Sequence, residues 1–166
     1  MSGTYLAVKP TALSLNDIKK IQLAINIQDP IPKEEIHCTL MASKEKTGSG
    51  YSPNPDIVYS ASVTGCDILG EKGSGWQALI LKLHCPALQR RFNLAKHRGM
   101  EHSYPEFLPH VSLAYEKDND LEGYLVELRE YLQKSPQLTI ELSYEYMEPF
   151  NDTWIEDEIK KDESKV

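Results

Sequence analysis

Two short segments carry the groups best suited to moving protons: His37-Cys38-Thr39-Leu40 and His110-Val111-Ser112-Leu113. Each sets an imidazole two residues before a hydroxyl and ends on leucine. On a β-strand, residues two apart share a face, so His37 and Thr39 point one way while Cys38 and Leu40 point the other. His110 and Ser112 oppose Val111 and Leu113 in the same manner. If the two strands are neighbours, two imidazoles and two hydroxyls converge on one spot, and that spot suits a phosphodiester. A neutral imidazole takes a proton from an attacking hydroxyl, a charged one gives a proton to the leaving oxygen, and the hydroxyls hold the phosphate oxygens. An unperturbed imidazole pKa of about 6.5 leaves both protonation states accessible near neutral pH, and the scheme calls for no metal and no cofactor.

A single histidine and hydroxyl at this spacing occurs by chance in many chains. The weight comes from the repetition, because both copies sit at matching places between predicted elements. Other chemistries fare worse. Cys38, Cys66 and Cys85 are an odd set with no CxxC spacing, so neither a disulfide framework nor a structural zinc site is expected. His37-Cys38 and His84-Cys85 are adjacent pairs whose members point to opposite faces of a strand, a poor chelate. A net charge of −7 argues against binding long nucleic acid through its backbone, although a small anion in a locally positive cleft remains compatible with it.

These segments need a scaffold, and 166 residues is the length of one domain. TYLAVKP (4–10) reads as a strand that Pro10 ends. SLNDIKKIQLAINIQ (14–28) reads as a helix with Ser14 as N-cap. EIHCTLMA (35–42) is the second strand, followed by a Gly-, Ser- and Pro-rich loop over 46–56. The stretch 57–69 and WQALILKL (76–83) form a hairpin through the GEKGSG turn. PALQRRFNLAKHR (86–98) is a helix opened by Pro86 and stopped by Gly99, and HVSLAY (110–115) is a strand. DLEGYLVELREYLQK (120–134) is a strongly periodic helix, and QLTIELSYEYM (137–147) is the last strand, with Ile140, Leu142, Tyr144 and Tyr146 alternating against Thr139, Glu141, Ser143 and Glu145. Residues 1–150 are thus one α+β domain, its repeated segments suggesting two lobes. Residues 151–166 form an acidic tail with six acids and three lysines from Asp152 onward.

With these residues in view, the chain resembles the two-histidine phosphoesterases, whose paired motifs are His, any residue, Thr or Ser, then a hydrophobic residue. Within that superfamily, QDPIPKEEIHCTL, WQALILKL and EHSYPEFLPHVSLAY are similar to the phage anti-CBASS nucleases, which destroy the cyclic oligonucleotide messengers of a bacterial anti-phage defence. The resemblance implies a bilobal fold with pseudo-two-fold related antiparallel sheets around a central cleft. It implies that His37 and His110 are the acid-base pair and that Thr39 and Ser112 hold the phosphate. Ser112 stands where family proteins often have Thr; it keeps the hydroxyl and loses the methyl.

The substrate so implied is a cyclic di- or trinucleotide, whose exposed bases gain about 1 to 3 kcal/mol each from aromatic stacking. Tyr5, opposite the core-facing Leu6 and Val8, and Trp76, just after the glycine-rich turn, are the stacking positions that the resemblance supports. Lys9 shares the face of Tyr5. Glu141 and Glu145 are candidates for accepting hydrogen bonds from a base edge, against a reading as solvated groups on an edge strand. Trp154 closes over ligand or pins the tail. Arg90, Arg91, Lys96, His97 and Arg98 read chiefly as a solvated basic helix face, His84 and His102 as structural or surface residues.

The leading expectation is a metal-independent nuclease for 3′-5′ cyclic messengers, a monomer in the cytoplasm of an infected bacterium. It has no apolar run long enough to span a bilayer, and MSGTYLAVKP has no secretory pattern. The alternatives are an RNA-end enzyme acting on 2′,3′-cyclic phosphates or 2′-5′ linkages, and a sponge that holds the messenger without cutting it.

Overall fold

The structure is a computed structural model that describes residues 3–43, 51–100, 102, 107–135 and 137–150. These form β1 (Gly3–Pro10), α1 (Ala12–Ala24), a 3-10 turn (Lys33–Glu35), β2 (Cys38–Ser43), β3 (Val58–Leu69), β4 (Ala78–His84), α2 (Pro86–His97), β5 (His110–Tyr115), α3 (Leu121–Gln133) and β6 (Thr139–Phe150). The order matches the sequence reading; several boundaries do not. Helix α1 starts earlier, because Thr11 and not Ser14 is the N-cap, its side chain accepting from the Ser14 amide at 3.3 Å. Ser14 is buried, and its hydroxyl instead accepts from the Glu141 amide of β6 at 2.8 Å. The helix also ends earlier. Asn26 takes the left-handed conformation (φ 54°), and the amides of Asn26 and Ile27 turn back onto the carbonyls of Leu23 and Gln22. The same closure ends α2, with Gly99 (φ 96°) in the left-handed position as expected.

The expected pair of sheets is one. All six strands join, antiparallel throughout, into a closed barrel in the order β1-β2-β5-β4-β3-β6, with β6 paired to both β1 and β3. Closure removes exposed sheet edges, so β6 is not the edge strand that its sequence suggested. Alternate strand residues, among them Leu6, Val8, Cys38, Leu40, Leu81, Val111, Leu113, Ile140 and Leu142, join the inner faces of the helices in one buried cluster. No helix among the described residues is long and apolar enough to cross a membrane. The tail beyond 150 and Trp154 lie outside the described residues, as does part of the 46–56 loop.

The weakest seam in the barrel is the one that matters here. Strands β2 and β5 share a single pairing, Cys38 opposite Val111. Each motif is also bulged at its leucine. Leu40 is the unpaired residue where β1 shifts register on β2, between Leu6↔Met41 and Ala7↔Thr39. Leu113 is the unpaired residue between Leu79↔Ala114 and Ile80↔Ser112. A bulge re-aims the strand and increases its twist, and here both bulges lie just past the seam.

Candidate active site

The one pairing of β2 with β5 fixes how the two segments meet. With Cys38 opposite Val111 and the strands antiparallel, the register one step to either side sets His37 across from Ser112 and Thr39 across from His110. Cys38 and Val111 are fully buried, whereas His37, Thr39, His110 and Ser112 are half-buried on the other face. The alternation read from sequence therefore holds, with one adjustment: β5 begins at His110, but β2 begins at Cys38, leaving His37 just ahead of its strand.

Both imidazoles are oriented in the same way. His37 Nδ1 lies 2.7 Å from the carbonyl of Glu35, and His110 Nδ1 lies 2.6 Å from the carbonyl of Leu108, in each case two residues back. A carbonyl only accepts, so Nδ1 carries the proton and donates, which leaves Nε2 as the site of proton exchange. Burial pushes the pKa of both imidazoles below the ordinary histidine value, the backbone carbonyls oppose this, and the charge of His37 pushes His110 down further. Glu148 acts on His37 in the upward direction and Lys9 in the downward direction.

Tyr5 is joined to the first motif by its hydroxyl, which lies 2.6 Å from His37 Nε2 and also bonds Thr39 Oγ1. Its ring meets the His37 ring edge-on, with centroids 5.7 Å apart. Lys9, next along the same face of β1, places Nζ 5.6 Å from the ring centre of Tyr144 and 5.1 Å from that of Tyr146. Those two rings stack 6.0 Å apart. Tyr144 is half-exposed and in the left-handed conformation (φ 57°), because it is the unpaired residue where β1 shifts register on β6, between Val8↔Glu145 and Lys9↔Ser143. Two imidazoles whose Nδ1 atoms are held by backbone carbonyls, two hydroxyls and a lysine-aromatic cluster can exchange protons with, and hold, a phosphate ester bearing flat rings. The sequence reading missed Tyr146, Tyr144 and Glu148 as neighbours of the site, since only the bulge at Tyr144 brings them round. The register break leaves no pattern in the sequence to find them by.

The same bulge corrects the reading of Glu145. A one-residue slip exchanges the faces of a strand, so Glu145 turns inward and is 1% exposed. Arg91 of α2 clamps it, Nη2 to Oε1 at 2.8 Å and Nε to Oε2 at 3.1 Å, while the Tyr51 hydroxyl and the Asn54 amide donate to Oε1. Glu145 is thus unavailable to a nucleobase, and Arg91 is not part of a solvated basic face. Glu141 is exposed, beyond the paired end of β1. Trp76 is 44% exposed and precedes β4, in the hairpin loop. The ring lies against Gly70 (φ 102°), where a Cβ would come within 2.8 Å of it. Glu116, just past β5, accepts from the amides of Gly73 and Gly75 and so ties this loop to the end of β5. His102 is structural: its Nδ1 accepts from the Ala42 amide at 3.2 Å, and its ring packs edge-on against Phe92. Among the described residues no group of three or more His, Cys, Asp or Glu side chains is placed to hold a metal ion.

Comparison with known proteins places this chain in a family. The family model of anti-CBASS protein Acb1 matches residues 2–157, a span that includes all six strands. The chain is 26% identical to the anti-CBASS protein Acb1 of Vibrio phage KVP40, over 92% of this chain and 91% of that one. Identity to the Acb1 protein of Enterobacteria phage T4 is likewise 26%, over 94% and 93% of the two chains. To that of Acinetobacter phage Ac42 it is 29%, over 69% and 73%. With a match along almost its whole length, this chain belongs to the anti-CBASS protein Acb1 family.

Proposed function

We propose that this protein is a metal-independent phosphodiesterase of the two-histidine type, which cleaves 3′-5′ bonds in cyclic di- and trinucleotide immune messengers and so lets a phage evade CBASS defence. The observation that carries the reading is the β2–β5 seam, where the Cys38–Val111 pairing draws together two His-x-hydroxyl segments whose Nδ1 atoms are both held by backbone carbonyls. Family membership supports the substrate class and the biological role. In the proposed reaction one Nε2 removes the proton of a ribose 2′-hydroxyl, which attacks the adjacent phosphorus. The other Nε2 protonates the departing 5′-oxygen, giving a linear product that ends in a 2′,3′-cyclic phosphate. Thr39 and Ser112 hold the non-bridging oxygens, Lys9 offers a positive charge, and Trp76 and Tyr5 offer aromatic surface for bases.

The test is to incubate the protein, with chelator present, against 3′,3′-cyclic dinucleotides, cyclic trinucleotides and linear RNAs ending in 2′,3′-cyclic phosphate, and to identify products by mass. The expected result is opening of the cyclic messengers. Cutting of the linear ends alone would replace this reading with an RNA-end enzyme. Recovery of bound, unaltered cyclic nucleotide after denaturing the protein would replace it with a sponge.

A further inference from the structure

Among the described residues, only Tyr5 is placed so that one hydroxyl contacts both functional side chains of a motif. We propose that Tyr5 is a positioning residue that couples the protonation state of His37 to the proton of Thr39, by reversing the direction of two hydrogen bonds without moving a heavy atom. When His37 is neutral, its Nδ1 proton is committed to the Glu35 carbonyl, so Nε2 offers a lone pair. In the resting site, before a substrate hydroxyl takes its place at Nε2, Tyr5 donates to Nε2 and accepts from Thr39, whose only proton is spent inside the protein. When His37 is charged, Nε2 donates to the Tyr5 oxygen and Tyr5 donates to Thr39. The Thr39 proton is then released to point at an oxyanion. One hydroxyl proton changes partner at each oxygen, and no charge is left on the phenol.

Tyr5 suits this because it stays a phenol. Burial raises its pKa far above the ordinary tyrosine value, so it serves as a neutral donor and acceptor and never as a base. The other titratable or charged groups around His37 are Lys9 from β1 and Glu148 from β6, which act on it, and His110 from β5, on which it acts, with the Tyr146 and Tyr115 phenols near Tyr5 itself. None of these is bonded to Nε2 among the described residues. His110 has no counterpart to Tyr5: its Nδ1 is held like that of His37, but among the described residues nothing is bonded to its Nε2. The two imidazoles, alike in sequence context, are thereby made unequal.

This inference rests on the proposed reading for its catalytic consequence, but its test needs no substrate. The imidazole titrations of His37 and His110 are followed by NMR in the wild type, Tyr5→Phe and Thr39→Val. A hydrogen bond to a charged group is stronger than one to a neutral group, so loss of the Tyr5 oxygen penalises charged His37 the more. In Tyr5→Phe the His37 midpoint falls by about one pH unit, while that of His110 moves by less than half as much. Thr39→Val lowers the His37 midpoint by a smaller amount, and it reads the coupling without altering the Tyr5 ring should Tyr5→Phe fold poorly. An unchanged His37 midpoint in Tyr5→Phe, or in Thr39→Val where only that variant folds, overturns the inference. The predicted shift in a protein that opens no cyclic nucleotide would instead sink the proposed function and leave the Tyr5 coupling in place.

Discussion

His37 and His110 carry a burden that shows in stability as well as in chemistry. Burial holds both below the ordinary imidazole pKa in the folded state, whereas in the unfolded chain they titrate at about 6.5. Below that pH the unfolded chain therefore binds more protons than the folded one. The stability associated with these groups is complete above about pH 6.5 and is lost as pH falls through the folded values. Thermal unfolding followed from pH 7.5 down to 5 should show a steeper loss for the wild type than for the double variant His37→Asn/His110→Asn; equal slopes would mean that the imidazoles are not buried as described. At this scale the sequence was informative, since the alternation of imidazole and hydroxyl against apolar residues sufficed to place four side chains on one face. The hydroxyl of Tyr5 was not legible as a partner of His37. Its reach depends on the register of β1 against β2, including the bulge at Leu40, and nothing in the residue types marks a register.

Among the elements, β6 departs most from expectation, and one residue accounts for it. The bulge at Tyr144 turns Glu145 from the outer face to the inner one, where a carboxylate is tolerable only because Arg91 of α2 and the Tyr51–Asn54 segment satisfy it. The arrangement ties a strand, a helix and a loop together behind the lysine-aromatic cluster. Removing the cation leaves a charge buried with its neutral donors alone. Arg91→Ala is expected to cost about 3 kcal/mol in urea unfolding, and Glu145→Gln less, because the amide keeps the size and one acceptor. A loss for Arg91→Ala below about 1 kcal/mol, the scale of an exposed pair, would contradict this account. Periodicity showed that α2 has an apolar side, with Leu88, Phe92 and Ala95 buried as expected, but could not show that Arg91 turns inward. An arginine on a helix reads as solvated until its partner strand is known. The caps were partly legible: Gly99 stops α2 as expected, whereas α1 is capped by Thr11 and not by the expected Ser14.

For the whole molecule, the order of elements could be read from patterning and punctuation, whereas their assembly could not. Two lobes were expected from the repeated segments; the chain instead closes one barrel, because β6 pairs with β1 on one side and β3 on the other, contacts between residues more than seventy-five positions apart. Patterning is local and such pairings are not. The repetition nevertheless had a structural meaning, since both segments start at the same sparse seam, both hold their histidine by a carbonyl two residues back, and both bulge at leucine. The central claim is that these segments are two halves of one active site. The measurement that bears on it most directly is turnover of a 3′,3′-cyclic dinucleotide, in the presence of EDTA, by the wild type, His37→Ala and His110→Ala. If the site is shared, the wild type opens the ring and each single variant loses at least about 100-fold in rate. Wild-type turnover in either variant would show that its segment is scaffold, and the claim would fall.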